Sequence, residues 1–415
     1  MLIYSLLYLS FSLFTLFLLT GPFLPDLFLS VGALGFLYIC FRDRRFDYFK
    51  FRVFYIFLAF CIVCVLSSLF ADDIFLSFES SLFYFRFGVF ACFVCYLINK
   101  NISFQKYFLY CLLAVFCFLI FDGYFQIVLG FNVFGQELIG GFHVTSVFDR
   151  PKLGSFLARL FPLLLALIIA SKIRDKYLAI FGGLLFVLID VLVYLTGERT
   201  SFMYMMLSSL FIVLLIDRLK YIRLITLLFS LVLIVGITYV SPTVKNRMID
   251  TTLEQVGVGS DQFIIFSPNH DSHIRTAFNM FLDKPVLGHG PKMFRVKCSD
   301  PKYAVGINPC STHPHNFYVQ LLAETGIIGF SFLFSAFCYV LYCAYRQLKS
   351  IVLKKKKYLT DYQVCLLAGI LITVWPFSPN GNFFNNWLAI VYSLPIGFYL
   401  QSIYSKKIRR YKKLA

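Results

Sequence analysis

Three polar knots interrupt an otherwise apolar chain, and each holds a side chain suited to an anion or a proton. The first is Thr196-Gly197-Glu198-Arg199-Thr200-Ser201. A guanidinium beside a Gly-containing bend can grip phosphate oxygens at two points, although Arg also anchors chains at membrane edges by snorkelling. The second is Ser272-His273-Ile274-Arg275, where Arg275 stands beside an apolar stripe and could face either a ligand or solvent. The third is His313-Pro314-His315-Asn316. Pro314 suits the first turn of a helix, a helix start favours anions, and imidazole moves protons near neutral pH. A His-x-His pair can also hold metal, but no third ligand stands at a matching spacing. Arg86, Arg159 and the group Asp149, Arg150 and Lys152 would bring more cations to the same side. Asp122 and Asp190 fall deeper in apolar stretches, where charge is expensive and by default functional or paired.

The elements that must position these residues are membrane helices. Apolar residues make up 59% of the 415 positions and charged ones 14%, too apolar for a soluble fold to cover. Stretches long enough to span, or nearly so, run at 2–20, 27–41, 53–70, 81–98, 107–129, 153–171, 177–196, 201–216, 222–241, 318–345, 362–378 and 384–404. The reading is an all-α integral membrane protein of about 12 transmembrane helices. Two of the stretches, 27–41 and 201–216, are short, so ten or eleven is the lower bound. Residues 1–20 lack the basic start and small-residue cleavage site of a removable signal. Alternate connections carry most of the Lys and Arg, which by the positive-inside rule places them and both termini in the cytoplasm. The net charge of +17 is thus a topology signal. Basic residues scattered over short loops do not make a nucleic-acid surface.

The opposite connections are short except for 242–317. This divides the chain into helices within 1–241, a loop domain at 242–317, and helices plus a basic tail at 318–415. The loop contains an amphipathic pattern with Ile274, Ala277, Phe278, Phe281 and Leu282 on one face, a cap expected at Asp271 or Ser272, and Pro285 past its end. Cys298 and Cys310 are the two cysteines outside the spans, and we expect them to form a disulfide, which a non-cytoplasmic loop permits.

Taken in order, Leu195-Thr196-Gly197-Glu198-Arg199-Thr200, then Ile274-Arg275 with Lys284-Pro285-Val286-Leu287-Gly288-His289-Gly290-Pro291, then His315-Asn316 through Glu324-Thr325-Gly326 resemble the bacterial O-antigen ligase and O-antigen polymerase superfamily. The strong resemblance covers roughly 190–330. It implies a glycosyltransferase of lipopolysaccharide biosynthesis in the bacterial inner membrane, with its active site facing the periplasm. The donor would be a glycan on undecaprenyl diphosphate, and the acceptor the lipid A core for a ligase or another lipid-linked glycan for a polymerase. His315, Arg199 and Arg275 are the expected catalytic residues. His313, Asn316, Arg86, Arg150, Arg159, Glu198 and Gly290 are the expected substrate contacts. No cofactor or metal is expected, and the reaction is expected to invert. Asp72-Asp73 is the feature that resists a metal-free reading, since related enzymes pair an external-loop acid with a divalent ion; helix capping is the simpler role. A transporter of lipid-linked glycans is the non-enzymatic alternative, but it typically shows paired half-repeats and midplane charges.

Overall fold

The computed structural model describes residues 11–414 apart from 12, 45, 102, 172, 257–263 and 265. Eight helices are long and apolar enough to cross a membrane, and Ala179–Leu195, Arg199–Leu215 and Asp361–Thr373 are shorter apolar helices. The protein is therefore a multi-pass membrane protein. Among the described residues there are no strands, only isolated bridges at Phe131–Glu137 and Ile139–His143. The expected count of twelve is not reached there. The segment at 2–20 lies largely outside the described residues, while Phe23–Arg42 is longer than the 27–41 stretch read from the sequence.

We label the helices α1 (Phe23–Arg42), α2 (Arg52–Leu69), α3 (Ile74–Ser81), α4 (Phe85–Lys100), α5 (Ser103–Leu129), α6 (Leu153–Ala170), α7 (Gly183–Leu195), α8 (Arg199–Leu215), α9 (Lys220–Val240), α10 (Pro268–Asp283), α11 (Phe317–Val352), α12 (Asp361–Thr373) and α13 (Asn386–Leu414). In lipid each backbone polar group must be satisfied within its own segment, which is why every span is helical. α6 is buried along nearly all its length, with α8 and α12 packed on it, while α4 packs on α13. α9 lies on the rim, and its Val232, Val235 and Tyr239 point outward. Such apolar exposure is stable against lipid and not against water.

Polar contacts separate the connections into two sets. At one end Lys357 pairs with Asp217 and Asp361. At the other, the 242–317 loop is tied to the α2–α3 corner by Lys297–Asp72 at 2.6 Å and Lys292–Glu79 at 2.8 Å. Asp73 caps α3 by accepting Leu76 N–H, and the ion pair with Lys297 holds the Asp72 carboxyl below its usual range. The capping reading of Asp73 fits this geometry, and Asp72 serves as a tether for the loop.

Two of the sequence motifs turn out to be one packing joint. His289 N–H and Gly290 N–H donate to the Ala323 and Glu324 carbonyls at 2.9 and 2.8 Å, and Ile327 N–H donates to Pro285 O at 2.8 Å. α11 kinks at Gly326, which takes φ +64°, and any Cβ there would collide with the Val286 carbonyl. Gly290 was expected to meet substrate. Instead it sits at φ +104° against α2 and α3, where a Cβ would come within 2.6 Å of Ala71 Cβ.

Candidate active site

α10 starts one turn earlier than its apolar pattern implied. Ser267 is the cap, its hydroxyl accepting His270 N–H, and Pro268 occupies the first turn. The buried face is also rotated from the apolar stripe: Ser272, His273, Thr276, Ala277 and Met280 face inward, and Phe278 and Leu282 point out. Asn316 caps α11, its side chain accepting Tyr318 and Val319 N–H, so Pro314 precedes the helix instead of opening it. His315 sits between them at φ +58°, a conformation uncommon for a side-chain-bearing residue.

These two helix starts bring four of the chain's six histidines together. The His315 ring centroid lies 4.1 Å from His313, 4.9 Å from His270 and 5.4 Å from His273. Burial first, and then mutual repulsion, push His315 down to about 3 and His270 to about 4. Burial also brings His313 to about 4, against the pull of the Asn380 backbone. Burial lowers His273 too, though the Cys310 backbone beside it pulls the other way. Among the described residues no carboxylate counters these shifts. The charges that bear on the cluster are cations, Arg199 on His270 and Arg295 on His313. At neutral pH the four rings are therefore uncharged.

The cluster is clamped from below by the 376–383 turn. Asn380 N–H donates to His315 O at 2.7 Å, and Asn380 O is 3.2 Å from His313 Nε2. The Asn380 side-chain oxygen accepts from Tyr204 at 2.5 Å and from Arg159 at 3.3 Å. Asn316 Nδ2 donates to Pro376 O at 2.8 Å, so its amide is committed to the turn. The Cys298 and Cys310 sulfurs are joined, which fixes the chain five residues before His315. His315 itself has Ser311 Oγ 3.2 Å from Nε2, and among the described residues no hydrogen-bond partner at Nδ1.

Arg199 opens α8. Its two terminal nitrogens donate to Thr252 Oγ1 at 3.0 Å and Gln255 Oε1 at 2.7 Å, neutral partners that leave its charge unanswered. Glu198, expected to meet substrate, accepts Gly154 and Ser155 N–H at 2.8 and 2.9 Å and so caps α6. Arg159 is buried between the rings of Tyr204 and Tyr392, 4.7 and 5.1 Å away.

Three expected contacts lie apart from the cluster. Arg275 projects from the outer side of α10, 65% exposed and paired with Asp271 at 2.8 Å, because residues two apart on a helix face nearly opposite ways. Arg86 is paired with Asp26 at 2.8 Å, and Arg150 is exposed beside Asp149. The sequence reading missed His270, Arg247, Arg295 and Asn380, and it did not join His273 to the pair at 313–315. His270 and His273 stand three apart on a helix, and with only six histidines in the chain that spacing was the available signal.

No curated protein sequence matches this chain. Residues 184–334, which supply Arg199, the loop and all four clustered histidines, match the family model described as O-antigen ligase.

Proposed function

We propose that the protein is an O-antigen ligase that moves a glycan from undecaprenyl diphosphate to a sugar hydroxyl of the lipid A core. The observation that carries this reading is a cluster of uncharged histidines, with no acid paired to it among the described residues, beside Arg199 at one end of a membrane bundle and within the stretch that matches the family model. The positive-inside rule puts that end in the periplasm.

The chemistry follows from the groups present. An acceptor hydroxyl oxygen attacks the anomeric carbon while the bond from that carbon to the diphosphate breaks. The hydroxyl proton passes to His315, and the electron pair leaves with the diphosphate. Arg199 stabilises the charge that grows on the departing oxygens, a contact worth about 10²–10³ in rate by analogy with other transition-state donors. One displacement inverts the anomeric centre. Guanidinium donors can do this without a metal, so transfer should persist in excess chelator. A cavity of about 250 Å³ lined by Phe57, Phe60, Tyr84, Phe332, Phe383 and Tyr392, whose Tyr392 ring also meets Arg159, suits an apolar tail.

A deletion strain tests the assignment. Lost ligation leaves polymer on its lipid carrier, while lost polymerisation leaves core bearing single units and would assign the protein to the polymerase branch of the superfamily. Purified protein that transfers glycan in detergent excludes a transporter.

A further inference from the structure

Arg199 has a second unanswered guanidinium beside it. Arg247 belongs to the turn Asn246–Asp250 at the start of the loop. Its Nε donates to Gly197 O at 3.1 Å, and its guanidinium lies 5.0 Å over the Phe142 ring. Among the described residues its two terminal nitrogens have no acceptor and no carboxylate pairs with it. The two arginines straddle the Gly197 bend, close enough for the charge of one to act on the other. His143 lies in the same corner with Nδ1 2.9 Å from Thr196 O. It is kept neutral by burial and then by both arginines. Holding two half-buried like charges together without an acid is costly unless an anion joins them. Arg199 also acts on His270.

We infer that Arg247 and Arg199 form one two-guanidinium site for a diphosphate. Arg199, on the histidine side, takes the phosphate bonded to the sugar. Arg247, on the side of the 130–152 loop, takes the phosphate bonded to the lipid. The identity of the donor rests on the ligase reading; the diphosphate site does not.

The test uses purified full-length protein in detergent with inorganic pyrophosphate and geranyl diphosphate as probes, by calorimetry. Arg247→Gln should weaken both about 10- to 100-fold, the range for a charge-assisted contact, and Arg247→Lys should keep most of the affinity. Donor KM should rise in step while kcat changes by a few fold at most. Wild-type affinity in Arg247→Gln overturns the site even if the protein transfers glycan. Arg247-dependent pyrophosphate binding in a protein that transfers nothing keeps the site and removes the ligase reading. If Arg247→Gln does not fold, the wild type still decides: pyrophosphate should shield Arg199 and Arg247 together from phenylglyoxal, and shielding of Arg199 alone overturns the pairing.

Discussion

Among the described residues two guanidiniums are buried in this bundle, and they are held in opposite ways. Arg223 of α9 meets Asp190 of α7 in a two-point ion pair at 2.6 and 2.8 Å, with both side chains fully buried. Ser209 and Ser230 complete the pair, and Phe161 and Phe186 lie against it. Arg159 of α6 is as deep, but it meets two tyrosine faces, the Ser155 hydroxyl and the Asn380 amide oxygen, and its Nη1 has no partner. Arg223 Nε is also unpaired, yet the charge beside it is cancelled. An Asp makes the first arginine a staple between helices. The second makes no ion pair, although the Glu198 carboxylate acts on it across Ser155, and it is connected through Asn380 to the backbone of His315. The same contrast recurs at the loop face, where among the described residues Arg199 and Arg247 are in no ion pair while Lys292 and Lys297 pair with Glu79 and Asp72. A charge with an acid partner holds the fold, and a charge without one is available to a substrate.

The largest expected effect breaks this contrast on its reactive side. His315→Ala should leave an inserted protein with the wild-type melting temperature and lower transfer about 10²–10⁴-fold, the range for a lost general base. Transfer assayed with purified protein checks it, and near-normal rates would remove His315 from the chemistry.

Next comes the staple. Arg223→Ala strands Asp190 inside the bundle and should cost about 3–5 kcal/mol, read as lost membrane abundance and a lower melting temperature. Pairing it with Asp190→Leu should recover much of that loss, because a packed apolar pair replaces a buried ion pair at little cost. Arg159→Met should show the reverse pattern, with stability nearly kept and transfer impaired. If Arg159→Met instead unfolds the protein as Arg223→Ala does, the division between the two arginines fails.

How legible this was depended on the interaction. Hydropathy alone located α2, α4, α5, α6, α8 and α9 to within about four residues, because spanning lipid demands one long apolar segment per helix, whereas one end of each of α7, α11, α12 and α13 lies about five to ten residues from the stretch read for it. Arg199 and His315 were legible because polar residues at a membrane edge stand out. The inward face of α10 was not: it buries Ser272, His273 and Thr276, so the apolar stripe pointed to the wrong side. Asn380 was invisible for another reason. It lies 65 residues from His315 in sequence, and only folding of the 376–383 turn against the start of α11 brings its backbone there.

A smaller effect sharpens the comparison through pH. In the free protein His315 sits near 3 because of burial and its three histidine neighbours. Its neutral, proton-accepting form therefore persists well below the ordinary value of 6.5, and kcat/KM for the donor should stay flat down to roughly pH 5. His270→Gln removes one of the repelling rings, so the acid limb should move up toward 6.5. A bound diphosphate adds negative charge nearby and favours protonation, so the limb in kcat should lie above that in kcat/KM. Stability has the same sign. The unfolded chain binds more protons at these sites between about pH 4 and 6.5, so the loop loses stability as pH falls through that window. A wild-type kcat/KM limb already at 6.5 would show that the rings are not packed together.

The smallest effect belongs to Arg275, which unlike Arg223 and Arg159 is in solvent. An exposed i,i+4 pair with Asp271 contributes little to stability, so Arg275→Ala should leave the melting temperature almost unchanged. Its charge can still help draw an anionic donor to the loop face, over a range of about 8 Å at physiological salt and about 3 Å at 1 M. The expected result is a loss of roughly threefold in donor kcat/KM at low ionic strength that fades as salt is added. Arg199→Ala, which removes a contact to the diphosphate itself, should stay impaired at every salt concentration. If Arg275→Ala abolishes transfer at high salt as well, α10 must rotate in the working enzyme so that Arg275 replaces His273 against His315, and the exposed arginine would then belong with the unanswered charges.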